Sequence, residues 1–219
     1  YGRDSRWSRD NQENKQAVKE SERLIEDNLY NVAVENHKQA LKRRSSKLLS
    51  LAERNYAAYL DYFPTDHRSY DSRYWYAEVL WKRKRYDQAT EQYEMVVGAD
   101  PKGKHLKDAA AGSIFAIDEF LKPRKKDLDR AAERKIRAMK KSGAGASQYA
   151  EVELDPWESR LIKACDTYAR VLPDDDRTLK FLYKAALLLN DRNHFNDSNE
   201  RFLQIVRANP RSKMAEEGV

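Results

Sequence analysis

At 219 residues the chain is long enough for one elongated repeat domain or for one to two compact ones. A hydrophobic share of 40% beside a charged share of 36% calls for a large wetted surface around a thin core, and no run of about 18 apolar residues exists to cross a membrane as a helix. A single cysteine, Cys165, excludes an internal disulfide, and the scarcity of Gly (7) and Pro (6) favours helices over a strand-and-turn fold.

Residues 1–10 (YGRDSRWSRD) carry no periodic apolar pattern and are expected to be disordered or extended. The first residue is Tyr1 rather than a methionine, which suggests a trimmed piece whose leader would be missing. Residues 11–121 read as a helical N-terminal part with repeats. Between Asn11 and Arg44, Val18, Leu24, Ile25, Leu29, Val32 and Val34 keep a helix-compatible spacing within a highly charged stretch, as one long helix or one or two shorter ones. Ala52, Tyr56, Tyr59 and Pro64 follow: a small residue, an aromatic four positions on, a bulky residue three later, and a stop.

The clearest unit runs from Tyr70 to Gly103. Tyr76, Ala77 and Leu80 face inward on a first predicted helix; Tyr86, Ala89, Tyr93 and Val96 do so on a second, which Pro101 ends. A small alanine where helices cross lets their axes approach, the aromatic four positions on fills the next gap of the same face, and proline cannot continue the helix. After a further first helix at about 105–121, residues 122–155 read as an insertion. Lys122 to Ser142 holds ten basic residues against three acids, more than the whole net charge of +6, and SGAGAS (142–147) is a flexible small-residue stretch. Leu128, Ala132, Ile136 and Met139 share one helical face there, so a helix from Asp127 to Lys140 is expected, either inserted or as the second member of its repeat.

Residues 156–219 read as C-terminal repeats. Ala164, Tyr168, Val171 and Pro173 give a partial copy of the spacing, and Phe195, Ser198, Phe202, Ile205 and Pro210, preceded by Ala186 and Leu189, give a full one, 109 residues after the counterparts in the clearest unit. Ala215 suits the start of another helix, so the array is expected to continue. Cys165 falls on an apolar-periodic face and is read as a buried core residue. Asp174, Asp175 and Asp176 are read as helix-capping acids rather than as a cation site. His37, His67, His105 and His194 lie far apart without a second ligand type at a metal-forming interval, and the fingerprints of zinc, calcium, nucleotide and nucleophile sites are missing. No metal, cofactor or catalytic residue is therefore assigned.

The spacing of Ala89, Tyr93, Val96 and Pro101, and its copies, resembles the tetratricopeptide repeat. The phrases YLDYFPTDHRSYDSRYWYAEVLWKRKRYDQATEQYEMVVGADP and YKAALLLNDRNHFNDSNERFLQIVRANPRSKMAEE are similar to the variety with a period of about 36 to 37 residues in bacterial envelope proteins: the outer-membrane assembly lipoprotein, the Tol-Pal coordinator, and myxobacterial gliding and envelope repeat proteins. The likeness covers roughly Leu48 to Val219. It implies an all-α fold, a tetratricopeptide-like right-handed α-solenoid with an irregular basic insertion, that binds rather than catalyses.

In such proteins the first helices line a concave groove. Carried over, that pattern points Asp71, Tyr74, Glu78, Trp81 and Lys82 into it, with Lys180, Tyr183, Leu187, Asn190 and Asp191 as their later counterparts. A Lys/Asn carboxylate clamp is not carried over, because those positions hold Tyr74 with Glu78 and Tyr183 with Leu187. The expected partner is a protein segment held by aromatic and apolar contacts, within an envelope, secretion or motility complex. A periplasmic or envelope location follows from the resemblance alone and leaves the cytoplasm open. The alternatives are an accessory role beside a cell-wall enzyme, or binding of nucleic acid or an anionic surface through Arg124, Lys125, Lys126, Arg134, Lys135, Lys140 and Lys141. The segment has no interleaved aromatics, which disfavours nucleic acid; peripheral attachment to a membrane fits its charge.

Overall fold

The structure, a computed structural model, describes residues 6–141 and 149–210. All regular structure among them is helical: α1 (Arg6–Asp10), α2 (Lys15–Arg43), α3 (Ser46–Tyr62), α4 (Ser69–Lys82), α5 (Tyr86–Ala99), α6 (Leu106–Leu121), α7 (Lys125–Lys141), α8 (Pro156–Val171), α9 (Thr178–Asn190) and α10 (Phe195–Ala208). Residues 6–10 thus form a short helix instead of an extended tail. The small-residue stretch 142–147 and the expected further helix at Ala215 lie outside the described residues. Two compact units divide at Ala109/Ala110, inside α6. Contacts draw that division, whereas the sequence-based parts (11–121, 122–155, 156–219) follow breaks in pattern.

In the first unit α2 packs on α3, α3 on α4, and α4 on α5. The motif residues form its interior: Ala52, Tyr56, Tyr59, Ala77, Leu80, Ala89, Tyr93 and Val96 are all buried. Each large side chain so buried contributes about 1.5–3 kcal/mol against the ordering of its element. The helix α2 departs from expectation. It turns Glu26, Ala33, His37 and Ala40 inward and leaves Leu24 and Val32 exposed, because α3 needs small or hydrogen-bonding neighbours where its tyrosine hydroxyls arrive. Tyr59 donates to Glu26 Oε1 at 3.2 Å, and Tyr56 Oη lies 3.5 Å from His37 Nδ1.

The same turn joins the two members of three helix pairs. Arg44, Lys84 and Asn193 take left-handed backbone with φ of 50°, 60° and 63°. The next N–H then reaches back to the carbonyl of Ala40, Leu80 or Leu189, at 3.0, 2.9 and 2.9 Å, satisfying a helix end. A second shared turn leads from α3 into α4 and from α8 into α9. The Phe63 and Leu172 N–H groups return to the carbonyls of Tyr59 and Tyr168, at 2.8 and 2.9 Å; the Ser69 hydroxyl donates to Phe63 O and that of Thr178 to Leu172 O. Tyr59, Asp66, Arg68 and Ser69 thus match Tyr168, Asp175, Arg177 and Thr178 one for one. This corrects the register of the partial copy: Tyr168 does the work of Tyr59, and Cys165 stands where Tyr56 does. Between α5 and α6, Gly103 is required by close approach, since a Cβ there would collide with the Tyr70 hydroxyl.

In the second unit α8 packs on α9 and α9 on α10. Phe120 of α6 meets Trp157 of α8 at 4.0 Å between ring centres, and Phe115 meets Phe181 of α9 edge-on at 5.9 Å, so α8 and α9 both lie against α6. A capping box at Asp155 and Glu158, with Pro156 at the first helical position, fixes the start of α8. Where α5 uses Ala89, α10 places Ser198, whose buried hydroxyl donates to Ala186 O at 2.9 Å.

Candidate partner-binding surfaces

Successive residues of an α-helix are about 100° apart, so Asp71, Trp75, Glu78 and Lys82 form one stripe along α4. Trp75 is 38% exposed at its middle. Its ring meets the edge of His37 from α2 at 6.0 Å and of His105, just ahead of α6, at 5.6 Å. The two acids are engaged within the unit: Lys104 Nζ lies 2.7 Å and His105 Nε2 3.2 Å from the Asp71 carboxylate, and Tyr93 Oη donates to Glu78 at 2.5 Å. Trp75 and the exposed Lys82 are left to face outward.

Tyr74, expected to line the groove, is an interior residue. It is 8% exposed and stacks on His105 with ring centres 4.0 Å apart and planes within 6°. Burial, with the Glu78 carboxylate beside it, pushes its hydroxyl up to about 12. The reason is geometric: Tyr74 sits about 100° from Trp75, on the side where the chain entering α6 crosses. Trp81 is half-buried edge-on against Tyr86 at 5.1 Å, the next helix's first residue. Trp75 was missed because the carried-over family positions pass on either side of it; helical spacing from Asp71 to Lys82 was the signal that could have found it.

Beyond Lys82 the stripe reaches a shallow pocket of about 580 Å³ where the end of α2, the start of α3 and the end of α4 meet. Leu41 and Leu49 give it an apolar floor, with Arg44, Lys82, Arg83 and Lys84 around them. Arg83 is committed to Glu53, at 2.9 Å, and to the Ser50 hydroxyl.

The corresponding α9 stripe has other chemistry. Lys180 and Leu187 are exposed, the latter by 41%, as are Asn190 and Asp191. Tyr183 is half-buried against Phe202 of α10 at 5.9 Å, beside the Leu182 and Ile205 core. In the place of Trp75 stands Lys184, paired with Asp118 at 2.7 Å. An exposed aromatic ring therefore stands on the α4 stripe and not at the matching position of the α9 stripe.

The basic segment is a helix whose cations differ in circumstance. Lys125 pairs with Asp129 at 2.9 Å, and the Arg124 guanidinium lies over Phe120 at 4.7 Å. Lys126, Arg134, Lys135, Lys140 and Lys141 are exposed. At its inner side α7 is tied by Arg192, 3% exposed, whose guanidinium bridges Asp129 at 2.8 Å and Glu158 at 2.5 Å.

Other titratable groups have structural surroundings. Burial pushes the Cys165 thiol up, away from the reactive thiolate. Asp175 accepts from Tyr168 Oη at 2.7 Å and from Arg177 N at 3.0 Å, so it braces the turn rather than capping α9 directly. Among the histidines, His37 is 6% exposed, and burial, with Lys82 nearby, pushes it down to about 4. Glu26, Asp66 and His67 bring three potential ligand atoms within 4.8 Å of one another, a set invisible to sequence spacing because Glu26 comes from another helix. Its Glu26 carboxylate is already compensated by the Tyr59 hydroxyl and by Arg68 at 3.8 Å.

No family model matches the chain, and no curated protein does. Among solved structures it is similar to a tetratricopeptide repeat protein from Parabacteroides merdae, at 13% identity over 87% of this chain and 71% of that one, with a TM-score of 0.31. It is also similar to the MamA protein, at 12% identity over 86% of this chain and 96% of that one, with a TM-score of 0.27. The all-helical plan of paired helices rests on this chain's own contacts and repeated turns.

Proposed function

We propose that the protein is a non-catalytic interaction scaffold in a multiprotein complex, holding a partner segment along the α4 stripe of its first unit. The observation that carries this reading is Trp75: a large aromatic ring 38% exposed, braced by His37 and His105, and continuous through Lys82 with an apolar-floored, cation-rimmed pocket. Tryptophan is the residue most enriched where binding energy concentrates, and a ring already fixed by its neighbours loses little freedom on binding. The fitting partner places an apolar side chain on Trp75 and acidic groups toward Lys82 and Arg44. The sequence resemblance to envelope repeat proteins supports a bacterial envelope, secretion or motility complex as the setting, and with it a periplasmic or envelope-associated location.

The test is quantitative affinity capture from native lysate with the intact chain, Trp75→Ala and Lys82→Glu, each variant checked for helicity and melting. Lys82→Glu keeps the reading testable should Trp75→Ala unfold. A common set of partners lost with both folded variants supports the stripe; an unchanged set overturns it.

A further inference from the structure

Around α7, the buried Ala132 and the half-buried Leu128, Ile136 and Met139 lie on one side of the helix. At about 100° per residue, Lys126, Arg130, Arg134, Arg137, Lys140 and Lys141 fall within a third of its circumference on the other. All six are exposed. Glu133 is the one acid inside that stripe and pairs with Arg137 at 3.3 Å; Arg130 reaches Asp127, at its edge, at 3.8 Å. Lys126, Lys140 and Lys141 have no carboxylate partner among the described residues, and Arg134 donates only to the Arg130 carbonyl, at 3.2 Å. The Arg192 bridge to Asp129 and Glu158 ties the opposite side of α7 to α8, and Leu128 and Ala132 line a pocket there with Val152, Leu154 and Pro156. The cations therefore point outward from a helix of 17 residues, about 25 Å long.

We propose that α7 is a docking helix for an anionic bilayer surface, a function separate from the α4 stripe. A straight, convex row of one sign fits a plane of anionic headgroups, which asks only for point charges near it. A protein partner would be met by an aromatic or apolar centre, and the stripe has none. Single-stranded nucleic acid would be met by rings for stacking, which are equally missing from it. The chain carries more than its whole net charge in this segment, so attraction to an anionic plane acts on α7 and orients the molecule with that helix toward the surface.

The experiment is co-sedimentation of the full chain with vesicles of phosphatidylcholine alone and of phosphatidylcholine mixed with phosphatidylglycerol. The comparison is a variant carrying Lys126→Gln, Arg134→Gln, Lys140→Gln and Lys141→Gln together, with its helicity verified. The chain should pellet with the mixed vesicles and not with the neutral ones, and lose that binding as salt is raised. The four substitutions should weaken it at least about a hundredfold, at roughly fivefold per charge. Absence of binding to the mixed vesicles, equal binding to neutral ones, or unchanged binding by the folded variant overturns the proposal. So does tighter binding of poly-glutamate or duplex DNA at the same salt, which would name a different occupant. Trp75→Ala should bind the mixed vesicles as the intact chain does, so failure here and failure of the α4 stripe are told apart.

Discussion

Burial sets the chemistry of single residues in this chain more than sequence spacing does. His37 belongs to a highly charged stretch in sequence, yet in the fold it is neutral, held down to about 4 by desolvation and then by Lys82, against an ordinary value of 6.5. Below the ordinary value the unfolded chain takes up a proton that the folded chain refuses. Its stability contribution is therefore full above about pH 6.5 and is lost as pH falls toward 4, by about 3 kcal/mol in all. Burial lowers His105 too, with the same sign. Urea unfolding between about pH 7 and pH 4.5 should show this loss, and His37→Phe should flatten it; an equally steep loss in the variant would refute the assignment. Lys84 illustrates the backbone side. Its left-handed φ of 60° costs a side-chain-bearing residue about 1–2 kcal/mol, partly offset by glycine's greater freedom when unfolded. Lys84→Gly should raise stability by about 0.5–1 kcal/mol in thermal melts; a drop would mean that the side chain supplies an interaction of its own. Neither Arg44 nor Lys84 announced itself in the sequence as a turn residue: of the three left-handed positions only Asn193 has the local chemistry that favours one.

Among the elements, the helix pairs were legible because small-aromatic-apolar spacing and proline stops are local signals. Ala52, Tyr56 and Tyr59 of α3, Ala77 of α4, and Ala89 and Tyr93 of α5 are buried where the spacing put them, whereas Tyr76 and Tyr86, expected inward with them, are only half-buried. Registers that depend on long-range partners were not legible. Tyr168 matched Tyr56 by its spacing from an alanine, but its turn, its proline and its capped carbonyl give it the place of Tyr59. The inward side of α2 escaped notice because its contacts are a carboxylate and an imidazole receiving tyrosine hydroxyls, which no apolar count detects. The anchoring of α7 was hidden for the same reason: Arg192, Glu158 and Asp129 are distant in sequence and meet only when the turn between α9 and α10 lies under α7. Arg192→Met leaves Glu158, 5% exposed, without its counter-charge and should cost about 3–5 kcal/mol. Urea unfolding measures the loss, and limited trypsin digestion should cleave sooner within 122–155. Unchanged stability together with unchanged cleavage would show that α7 is held by its apolar side alone.

For the molecule as a whole, composition and repetition indicated an all-helical repeat fold, and the repeated turns on either side of α4 and α9 bear out its paired-helix plan. The residues left uncovered were less legible, since a family pattern states which residues face a groove only if neighbouring segments leave them exposed. His105 covers Tyr74, and Trp75, one position on, emerges instead. Corresponding stripes also differ in chemistry, with Trp75 answered in the second unit by Lys184 in an ion pair, so one scaffold offers unlike surfaces. The most direct test of the central claim is the dissociation constant of a captured partner for the intact chain, Trp75→Ala and, as a second-unit comparison, Leu187→Ala, all at matched helicity. The α4 stripe predicts that Trp75→Ala weakens binding about thirtyfold or more, the scale of a residue that dominates an interface, while Leu187→Ala changes it little; equal affinities for intact chain and folded Trp75→Ala would contradict it.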